Sequence, residues 1–503
     1  MSPRSNRKKT LAEQPEVFST TKELSAAISR AVAAGELRKL GGRLYTKSLD
    51  EPLAAVARRN WQRIASHYFP GGVVVDRSAI EAKPAPDGSL FLDAGPEWSG
   101  KRPIRLPGLT LRARQGSGPA PGDMPYMGLF ISSRPRALLD NLRHARGQRG
   151  LYRTLSPSEV EQELTRIVER RGEDALNEIR DQARTLAPEL GRAREMVLLD
   201  DLVGAILGTR DVPLETKAAQ ARRAGLAFDR DRIELFEALQ GELLRDVAPT
   251  RPEAGGTLPT IAFFEAYFSN YIEGTEFSVP EAEEIVFDRE IPKMRSEDAH
   301  DVLGTFDLVN DPMRRRQTPG DAEEFLELLR SSHSQILERR PQAGPGVFKT
   351  RANRAGATSF VHPDLVVGTL IEGYRFLEPL SSGLSRAIFF MFLIAEVHPF
   401  TDGNGRIARI FMNAALSDLE DQRVLIPLSY RDDYLDGLRA LSRTRDPRPL
   451  LRVIDFAQRY ATGIDWTDHA RAQAMLEETN AFVLPEEAEE KGRRLRMPAG
   501  AMA

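Results

Sequence analysis

Two apolar segments separated by a short polar loop constrain the fold of this chain more than any other feature. The first covers residues 387–395 without a charged side chain, and the second covers residues 407–412 with only Arg409 interrupting it. Neither approaches the roughly 20 apolar residues that span a bilayer, so we expect two buried helices. The loop between them would then be held on a rigid scaffold, which is where chemical groups can be aimed.

This loop and the helix start after it read His-Pro-Phe-Thr-Asp-Gly-Asn-Gly-Arg-Ile-Ala-Arg from residue 398 to residue 409. His398 is a candidate general base, and Asp402 is a candidate ligand for Mg²⁺. A glycine-rich loop that opens a helix presents free N–H groups to an anion. The candidate phosphate-binding residues are Gly403, Asn404, Gly405, Arg406 and Arg409. The set indicates attack of a hydroxyl on a nucleotide phosphate, although a Gly-Asn-Gly turn can also merely join two helices.

The stretch 398–409, here called the signature loop, resembles the Fic family pattern His-Pro-Phe-x-Asp/Glu-Gly-Asn-Gly-Arg-x-x-Arg. The resemblance implies an α-helical protein adenylyltransferase, a nucleotidyltransferase that moves AMP from ATP to a Ser, Thr or Tyr hydroxyl (AMPylation). It implies that His398 is the base, that Asp402 binds Mg²⁺, and that Arg406 and Arg409 hold the β- and γ-phosphates. Relatives that use other nucleotides share much of this loop, so the donor stays open.

A second motif, Ser-Asn-Tyr-Ile-Glu-Gly, covers residues 269–274 at the end of an aromatic-rich helical stretch. Taken alone, it is typical of a helix end in which Gly274 is the C-terminal cap and Glu273 is solvated. Beside the signature loop it resembles the Fic inhibitory motif, Ser/Thr-x-x-x-Glu-Gly/Asn. The resemblance implies that Ser269, Glu273 and Gly274 form an inhibitory element in which Glu273 pairs with Arg409. In some relatives the same glutamate helps water to remove AMP.

Residues 346–361 predict a short hairpin with its turn at 353–356. In position it resembles the Fic flap, an edge that holds a target segment by strand pairing. The residues expected to contact the target are Thr358, Ser359 and Phe360.

Composition is that of an ordinary globular protein, with 41% hydrophobic residues, a net charge of −3 and no cysteine. The absence of cysteine excludes disulfides and thiolate metal sites, so we expect a cytoplasmic protein. No segment has the length and apolarity of a membrane span, and the N-terminus lacks the apolar region of a secretory signal. The expected partners are a target protein and a second copy of the chain, with no membrane.

The first 48 residues carry ten basic and four acidic side chains, a net charge of +6, so the remainder is about −9. Such asymmetry is an electrostatic signature of nucleic-acid binding. A helix followed by a strand–glycine turn–strand pattern at 36–46 indicates a winged helix, although a ribbon used for domain packing fits equally well. The stretch 37–46 resembles the DNA-binding winged helix of AbiEi-type antitoxins, from toxin–antitoxin systems. Lys39 and Arg43 are the candidate DNA contacts.

The predicted fold class is mainly α: a helical Fic core with a small hairpin flap, preceded by a winged helix and a β-containing segment. Short apolar runs at 73–75, 90–92, 109–113 and 128–131 predict the strands of that segment. Ser156, Pro157 and Glu159 have the spacing of a helix start. The predicted boundaries are a disordered basic tail at 1–17, the winged helix at 18–50, an α+β antitoxin-like extension at 51–150, a helical connector without chemical groups at 151–255, the Fic domain with its inhibitory helix at 256–466, and a C-terminal helix with a loose tail at 467–503.

Two other functions remain open at this point. The chain is alternatively a DNA-binding regulator whose Fic core only senses nucleotide, or an enzyme that removes AMP from a modified protein. Measurements of AMP transfer to protein, of salt-dependent DNA binding and of AMP release would distinguish the adenylyltransferase, the DNA-binding regulator and the AMP-removing enzyme.

Overall fold

A computed structural model describes residues 11–100, 102–143, 153–245, 251–253, 258–356, 358–381 and 383–498. The chain divides into two compact units, residues 1–223 and residues 224–503. The fold is mainly α, as predicted, and the larger β-sheet lies in the first unit.

The first unit contains two sheets and a helical part. Its strands are β1 (Val17–Ser19), β2 (Arg38–Gly41), β3 (Leu44–Thr46), β4 (Val73–Val74), β5 (Ser89–Asp93), β6 (Ile104–Leu106), β7 (Leu109–Arg114), β8 (Met124–Tyr126) and β9 (Leu129–Ile131). Its helices are α1 (Ser25–Ala33), α2 (Leu53–Arg59), α3 (Trp61–Tyr68), α4 (Asp76–Glu81), α5 (Arg134–Asn141), α6 (Pro157–Leu190), α7 (Ala193–Ile206) and α8 (Lys217–Arg223).

The sheet order agrees with the predicted strands and adds others. The strand pair predicted at 36–46 is present as β2 and β3, and β1 extends it to a three-stranded sheet in the order β1-β3-β2. Val17 is buried and pairs with Thr46, so ordered chain begins before residue 18, while residues 1–10 of the predicted tail lie outside the described residues. Between residues 18 and 50 the structure has the single helix α1, so the winged helix stays a prediction. The predicted β-rich segment forms a six-stranded sheet, β6-β7-β5-β4-β9-β8.

The long helix α6 begins where the sequence places a helix start. The Ser156 side chain accepts the Glu159 N–H, and the Glu159 carboxylate accepts the Ser156 N–H, which confirms the predicted capping box. Gly172, with φ of 82°, interrupts the helical geometry and kinks α6.

The second unit is a helical bundle around one hydrophobic core. Its elements are α9 (Arg230–Arg245), α10 (Leu258–Ile272), α11 (Val279–Glu283), α12 (Ser296–Asn310), α13 (Ala322–Ile336), β10 (Arg354–Ala355), β11 (Thr358–Ser359), α14 (Val366–Tyr374), α15 (Gly383–Val397), α16 (Asn404–Asp418), α17 (Arg431–Thr444), α18 (Arg448–Thr462), α19 (His469–Glu478) and α20 (Pro485–Lys491). The predicted apolar segments are α15 and α16, which pack against each other, and α15 is almost entirely buried. The signature loop therefore joins two helices at the centre of this unit.

The C-terminal end differs from the predicted loose tail. The Arg496 side chain donates to the Glu478 carbonyl at 2.6 Å, and Leu495 and Met497 pack against the core. Among the described residues, no helix combines the length and apolarity needed to cross a bilayer.

Candidate active site

Two residues with positive φ shape the signature loop. His398 has φ of 53° directly after α15, and Gly403 has φ of 73° directly before α16. A non-glycine residue in this region is uncommon, and such strain is concentrated at functional sites. The buried Asn404 side chain closes the loop: its Oδ1 accepts the Phe400 N–H at 2.8 Å, and its Nδ2 donates to the Phe400 carbonyl at 2.9 Å. The donors of Asn404 that remain for a phosphate are therefore its backbone N–H and its second amide hydrogen.

His398 is partly buried against an aromatic ring. Its imidazole stacks on Phe360, with ring centroids 3.7 Å apart and planes 6° from parallel. Nδ1 lies 3.3 Å from the Ala395 carbonyl, which fits a proton on Nδ1 and leaves the Nε2 lone pair available. Burial, together with the nearby Lys349 ammonium, lowers the pKa of His398 to about 4. The imidazole is thus neutral at pH 7, as a general base must be.

Asp402 presents a carboxylate to solvent from a fixed backbone position. Its side chain is 51% exposed, and its Oδ1 accepts the Gly403 N–H at 2.7 Å. The buried His333 ring fixes the main chain, because Nδ1 accepts the Gly346 N–H at 2.9 Å and Nε2 then donates to the Asp402 carbonyl at 3.0 Å. The same ring stacks on Phe400 at 3.7 Å. Burial lowers the pKa of His333 to about 4, which keeps the ring in the neutral form that this arrangement requires.

Arg406 is buried and held by two side chains from other helices. Its Nη1 donates to Asp301 Oδ2 at 2.6 Å and to Asn270 Oδ1 at 3.2 Å, while its Nη2 lies 3.8 Å from Asp402 Oδ2. Asp301 also accepts the Nε–H of Arg340 at 2.7 Å. Burial of Asp301 raises its pKa, an effect that the attraction of Arg406 opposes. One edge of the Arg406 guanidinium is therefore anchored, and the Nη2 edge is directed toward Asp402.

Arg409 pairs with the predicted inhibitory element. Its Nη2 donates to Glu273 Oε1 at 2.8 Å and to the Ser269 carbonyl at 2.8 Å, and its Nε donates to Ser269 Oγ at 3.0 Å. Burial disfavours the charged guanidinium, yet Glu273 and Tyr434 together more than compensate and raise the pKa of Arg409. Gly274, with φ of 90°, ends the turn that follows α10, as expected for a C-terminal cap.

Gly405 makes the approach of Glu273 to the signature loop possible. A Cβ atom at residue 405 would lie 2.1 Å from Glu273 Oε1 and 3.1 Å from Arg409 Nη1. The glycine is thus required by the close packing of the carboxylate against α16.

The predicted flap is a two-stranded antiparallel hairpin, β10–β11, with Arg354 opposite Ser359 and Ala355 opposite Thr358. The predicted turn at 353–356 lies two residues too early, because Arg354 and Ala355 belong to the first strand. Lys349 connects the hairpin to the loop region: its buried Nζ donates to Asn353 Oδ1 at 2.7 Å and to the Val397 carbonyl at 3.3 Å.

A residue of the predicted connector also reaches this hairpin. Arg232, in α9, donates to the Ser359 carbonyl and lies 3.0 Å from Glu396 Oε1. Glu396 is two residues before His398, so Arg232 joins the flap to the helix that carries the candidate base. The prediction of a connector without chemical groups therefore missed this contact.

Sequence reasoning also missed Asp301 and His333. Neither has a local signal, since each acts on the signature loop from a helix distant in sequence. The candidate DNA contacts Lys39 and Arg43 are exposed and lie in the first unit, and Arg43 has φ of 60° in the turn between β2 and β3. Their role in DNA binding stays a prediction.

Among the described residues there is no cluster of three His, Cys, Asp or Glu side chains that could form a protein-only metal site. A single exposed carboxylate at Asp402 fits Mg²⁺ all the same, because this ion takes most of its ligands from phosphates and water.

Comparison with known proteins gives consistent matches to one family. Residues 324–416 match the model of the Fic/DOC family. The chain is 24% identical over 311 residues to protein adenylyltransferase fic-1 of Caenorhabditis elegans, covering 55% of this chain and 57% of that protein. It is 26% identical over 273 residues to protein adenylyltransferase Fic of Drosophila melanogaster, covering 52% and 54%. The chain thus spans about half the length of the curated relatives it matches.

Solved structures of Fic proteins are also found. A structure of Fic-1 from C. elegans aligns with a TM-score of 0.35 and 18% identity over 65% of this chain and 88% of that one. A Fic family protein from Desulfovibrio desulfuricans aligns with a TM-score of 0.35 and 16% identity over 50% and 76%. The family-model match covers most of α13, the flap, α14, α15, the signature loop and most of α16, so residues 324–416 of this chain form a Fic domain.

Proposed function

We propose that this protein transfers AMP from ATP to a Ser, Thr or Tyr hydroxyl of another protein. One observation carries the proposal: a neutral His398 with a free Nε2 and the buried Arg406 and Arg409 converge on one loop at a helix N-terminus. The names of the relatives, protein adenylyltransferases, support the same activity.

In this reaction the target hydroxyl oxygen attacks the α-phosphorus of ATP, and the bond to the pyrophosphate oxygen breaks. His398 Nε2 takes the hydroxyl proton. The N–H groups at the start of α16 and the Nη2 edge of Arg406 offset the phosphate charge that develops. Asp402 would hold Mg²⁺, which when bound neutralises charge on the phosphates.

We further propose that Glu273 inhibits this reaction. Arg409 would hold the γ-phosphate, but its Nη2 already donates a hydrogen bond to Glu273 Oε1 at 2.8 Å. A carboxylate on a buried guanidinium is a strong, geometrically demanding contact, and it places negative charge where the γ-phosphate must lie. ATP would bind productively only after Glu273 moves.

The test is AMP transfer from α-labelled ATP with Mg²⁺ and cell lysate as the source of targets. Wild type, Glu273→Gly, and Glu273→Gly combined with His398→Ala are compared. Label that rises with the first change and disappears with the second supports the activity and both roles. No label from any variant would contradict AMP transfer from ATP, whereas AMP release from a labelled target protein would indicate AMP removal.

A second candidate function is DNA binding through residues 18–50. The observation in its favour is the exposure of Lys39 and Arg43 on the β2–β3 hairpin of a segment with net positive charge. Two other basic residues are occupied, because Arg38 and Lys47 donate to main-chain carbonyls of their own unit. The test is the affinity of the full chain for DNA, measured at several salt concentrations. An affinity that falls steeply with salt, and a shallower dependence in the double variant Lys39→Ala with Arg43→Ala, would support this function. Unchanged binding in that variant would contradict it.

A further inference from the structure

The flap hairpin carries positive charge without any acidic residue. Residues 346–361 include Lys349, Arg351 and Arg354 and contain no Asp or Glu. Lys349 is buried, so the exposed charge comes from the two arginines. Arg443, an exposed residue of α17, adds a third guanidinium and donates to Thr358 Oγ1 at 3.4 Å. Of the three exposed arginines, Arg354 thus lies in β10, Arg443 contacts β11, and Arg351 precedes the hairpin by three residues.

None of the three has a carboxylate within ion-pair distance among the described residues. The Arg354 guanidinium donates to the Gly356 carbonyl of its own turn, through both Nε and Nη2. Neighbouring arginines of α17 and its C-terminal end are different, because Arg439 pairs with Asp436 at 2.8 Å and Arg445 pairs with Glu234 at 2.6 Å. The positive charge at the hairpin is therefore uncompensated, and it attracts anionic groups.

The hairpin also lies directly against the candidate base. Phe360 follows β11, and its ring stacks on His398 at 3.7 Å. With only two strands, the sheet β10–β11 has no third strand beside it among the described residues. The Ser359 carbonyl is bonded to Arg232, so an extended chain would pair with the remaining backbone groups at the edges. A chain bound there would pass close to His398, with the arginines on its flanks.

We propose that the hairpin binds an acidic, extended segment of the target protein, with Asp or Glu residues on either side of the modified hydroxyl. Arg351, Arg354 and Arg443 recognise those carboxylates. The inference rests on the proposed AMP transfer to a protein, and it adds the chemistry of the partner. Main-chain hydrogen bonds alone would give the hairpin little preference for the sequence of a bound segment. The uncompensated positive charge adds such a preference, because it attracts acidic segments and disfavours basic ones.

The experiment measures binding of labelled synthetic peptides to full-length Glu273→Gly protein by fluorescence polarisation, without nucleotide. The peptides share a central Ser-Tyr-Thr and carry Glu, Gln or Lys flanks. We expect the Glu peptide to bind about tenfold more tightly than the Gln peptide at low salt, and the difference to shrink as salt is added. The triple change Arg351→Glu, Arg354→Glu and Arg443→Glu should reverse the order in favour of the Lys peptide. Lys293→Glu is the matched control, since Lys293 is exposed on a separate 3₁₀ turn, and it should leave the order unchanged.

Equal binding of the Glu and Gln peptides, binding of none of the peptides, or an unreversed order in the triple variant would overturn the proposal. Because the reversal is a gain of binding to a different peptide, a misfolded variant cannot mimic it. The readout does not use ATP, so acidic selectivity without AMP transfer would count against the proposed reaction and leave the surface assignment intact.

Discussion

Arg409 Nη2 donates to Glu273 Oε1 at 2.8 Å, and the same arginine donates to Ser269 and lies against the Tyr434 side chain. Glu273 is therefore the single carboxylate that compensates this buried charge in the described structure. Anything that displaces Glu273 must bring a negative group to Arg409, and the γ-phosphate of ATP is such a group.

The first prediction concerns Glu273→Gly and the effect of ATP on stability. Loss of the carboxylate leaves Arg409 buried and unpaired, which should lower the free energy of unfolding by about 1–3 kcal/mol. ATP then supplies the missing charge, so the rise in melting temperature on adding ATP should be larger for the variant than for wild type. The rate of AMP transfer should rise by at least about tenfold. This is the factor expected if removing the competition between Glu273 and the γ-phosphate improves productive ATP binding by about 1.4 kcal/mol. Equal ATP-induced shifts in both proteins would contradict competition between Glu273 and the phosphate.

The second prediction concerns Gly405→Ala. The added Cβ would lie 2.1 Å from Glu273 Oε1, so the carboxylate must move away from Arg409. We expect a loss of about 1–3 kcal/mol in urea unfolding. In the Glu273→Gly background the same change should be less destabilising, with a coupling of about 1 kcal/mol between the two sites. Additive effects would show that the contact with Glu273 is not what restricts residue 405.

Site residues that lie in one short stretch of sequence were predictable, whereas residues that reach the site from distant helices were not. The signature loop, the inhibitory motif and the flap each lie in one short stretch, so their residue types and spacing are visible in the chain. Asp301 and His333 are different, because they reach Arg406 and Asp402 across 105 and 69 residues. Their contacts depend on how α12 and α13 pack, which no local pattern encodes.

The strands show the same limit. The predicted strands β4, β5, β7 and β9 have buried apolar residues, whereas β8 (Met124–Tyr126) is exposed throughout and β6 (Ile104–Leu106) is only partly buried. Both of these are edge strands held by pairing with a neighbour, so they lack the apolar pattern by which a strand is recognised.

The third prediction concerns Asp301→Asn. This change keeps the shape of the side chain but removes the charge that anchors Arg406 Nη1 at 2.6 Å. We expect KM for ATP to rise about tenfold, with a smaller change in kcat, measured in the Glu273→Gly background. The free energy of unfolding should fall by about 3 kcal/mol, because the buried Arg406 loses its partner.

Asp298→Asn is the matched control for this change. Asp298 lies one turn away on α12 and pairs with Arg340 at 2.6 Å, but it has no described contact with Arg406. It should leave KM for ATP unchanged. The same increase in KM from both variants would show that Asp301 acts through the stability of α12 rather than through Arg406.

The fourth prediction concerns the pH dependence of AMP transfer. Burial lowers the pKa of His398 to about 4, so the neutral base persists well below the ordinary histidine pKa of about 6.5. The acid limb of kcat/KM for Glu273→Gly should therefore lie near pH 4 to 5, wherever the protein remains folded. A limb near pH 6.5 would show that the base is more hydrated during catalysis than this structure indicates.

Phe360→Ala tests whether burial under the Phe360 ring is what lowers the pKa of His398. The Phe360 ring covers one face of His398 at 3.7 Å, and removing it admits water that stabilises the imidazolium. The pKa of His398 should rise, so the acid limb should move upward toward 6.5, whereas Phe360→Tyr, which keeps the ring, should leave the limb in place. The free energy of unfolding should also depend on pH. Because the folded-state pKa of His398 lies below the unfolded value, wild type loses stability as the pH falls from about 6.5 toward 4. Exposure of the ring in Phe360→Ala makes that loss smaller, so its unfolding free energy should depend less on pH across this window than that of Phe360→Tyr.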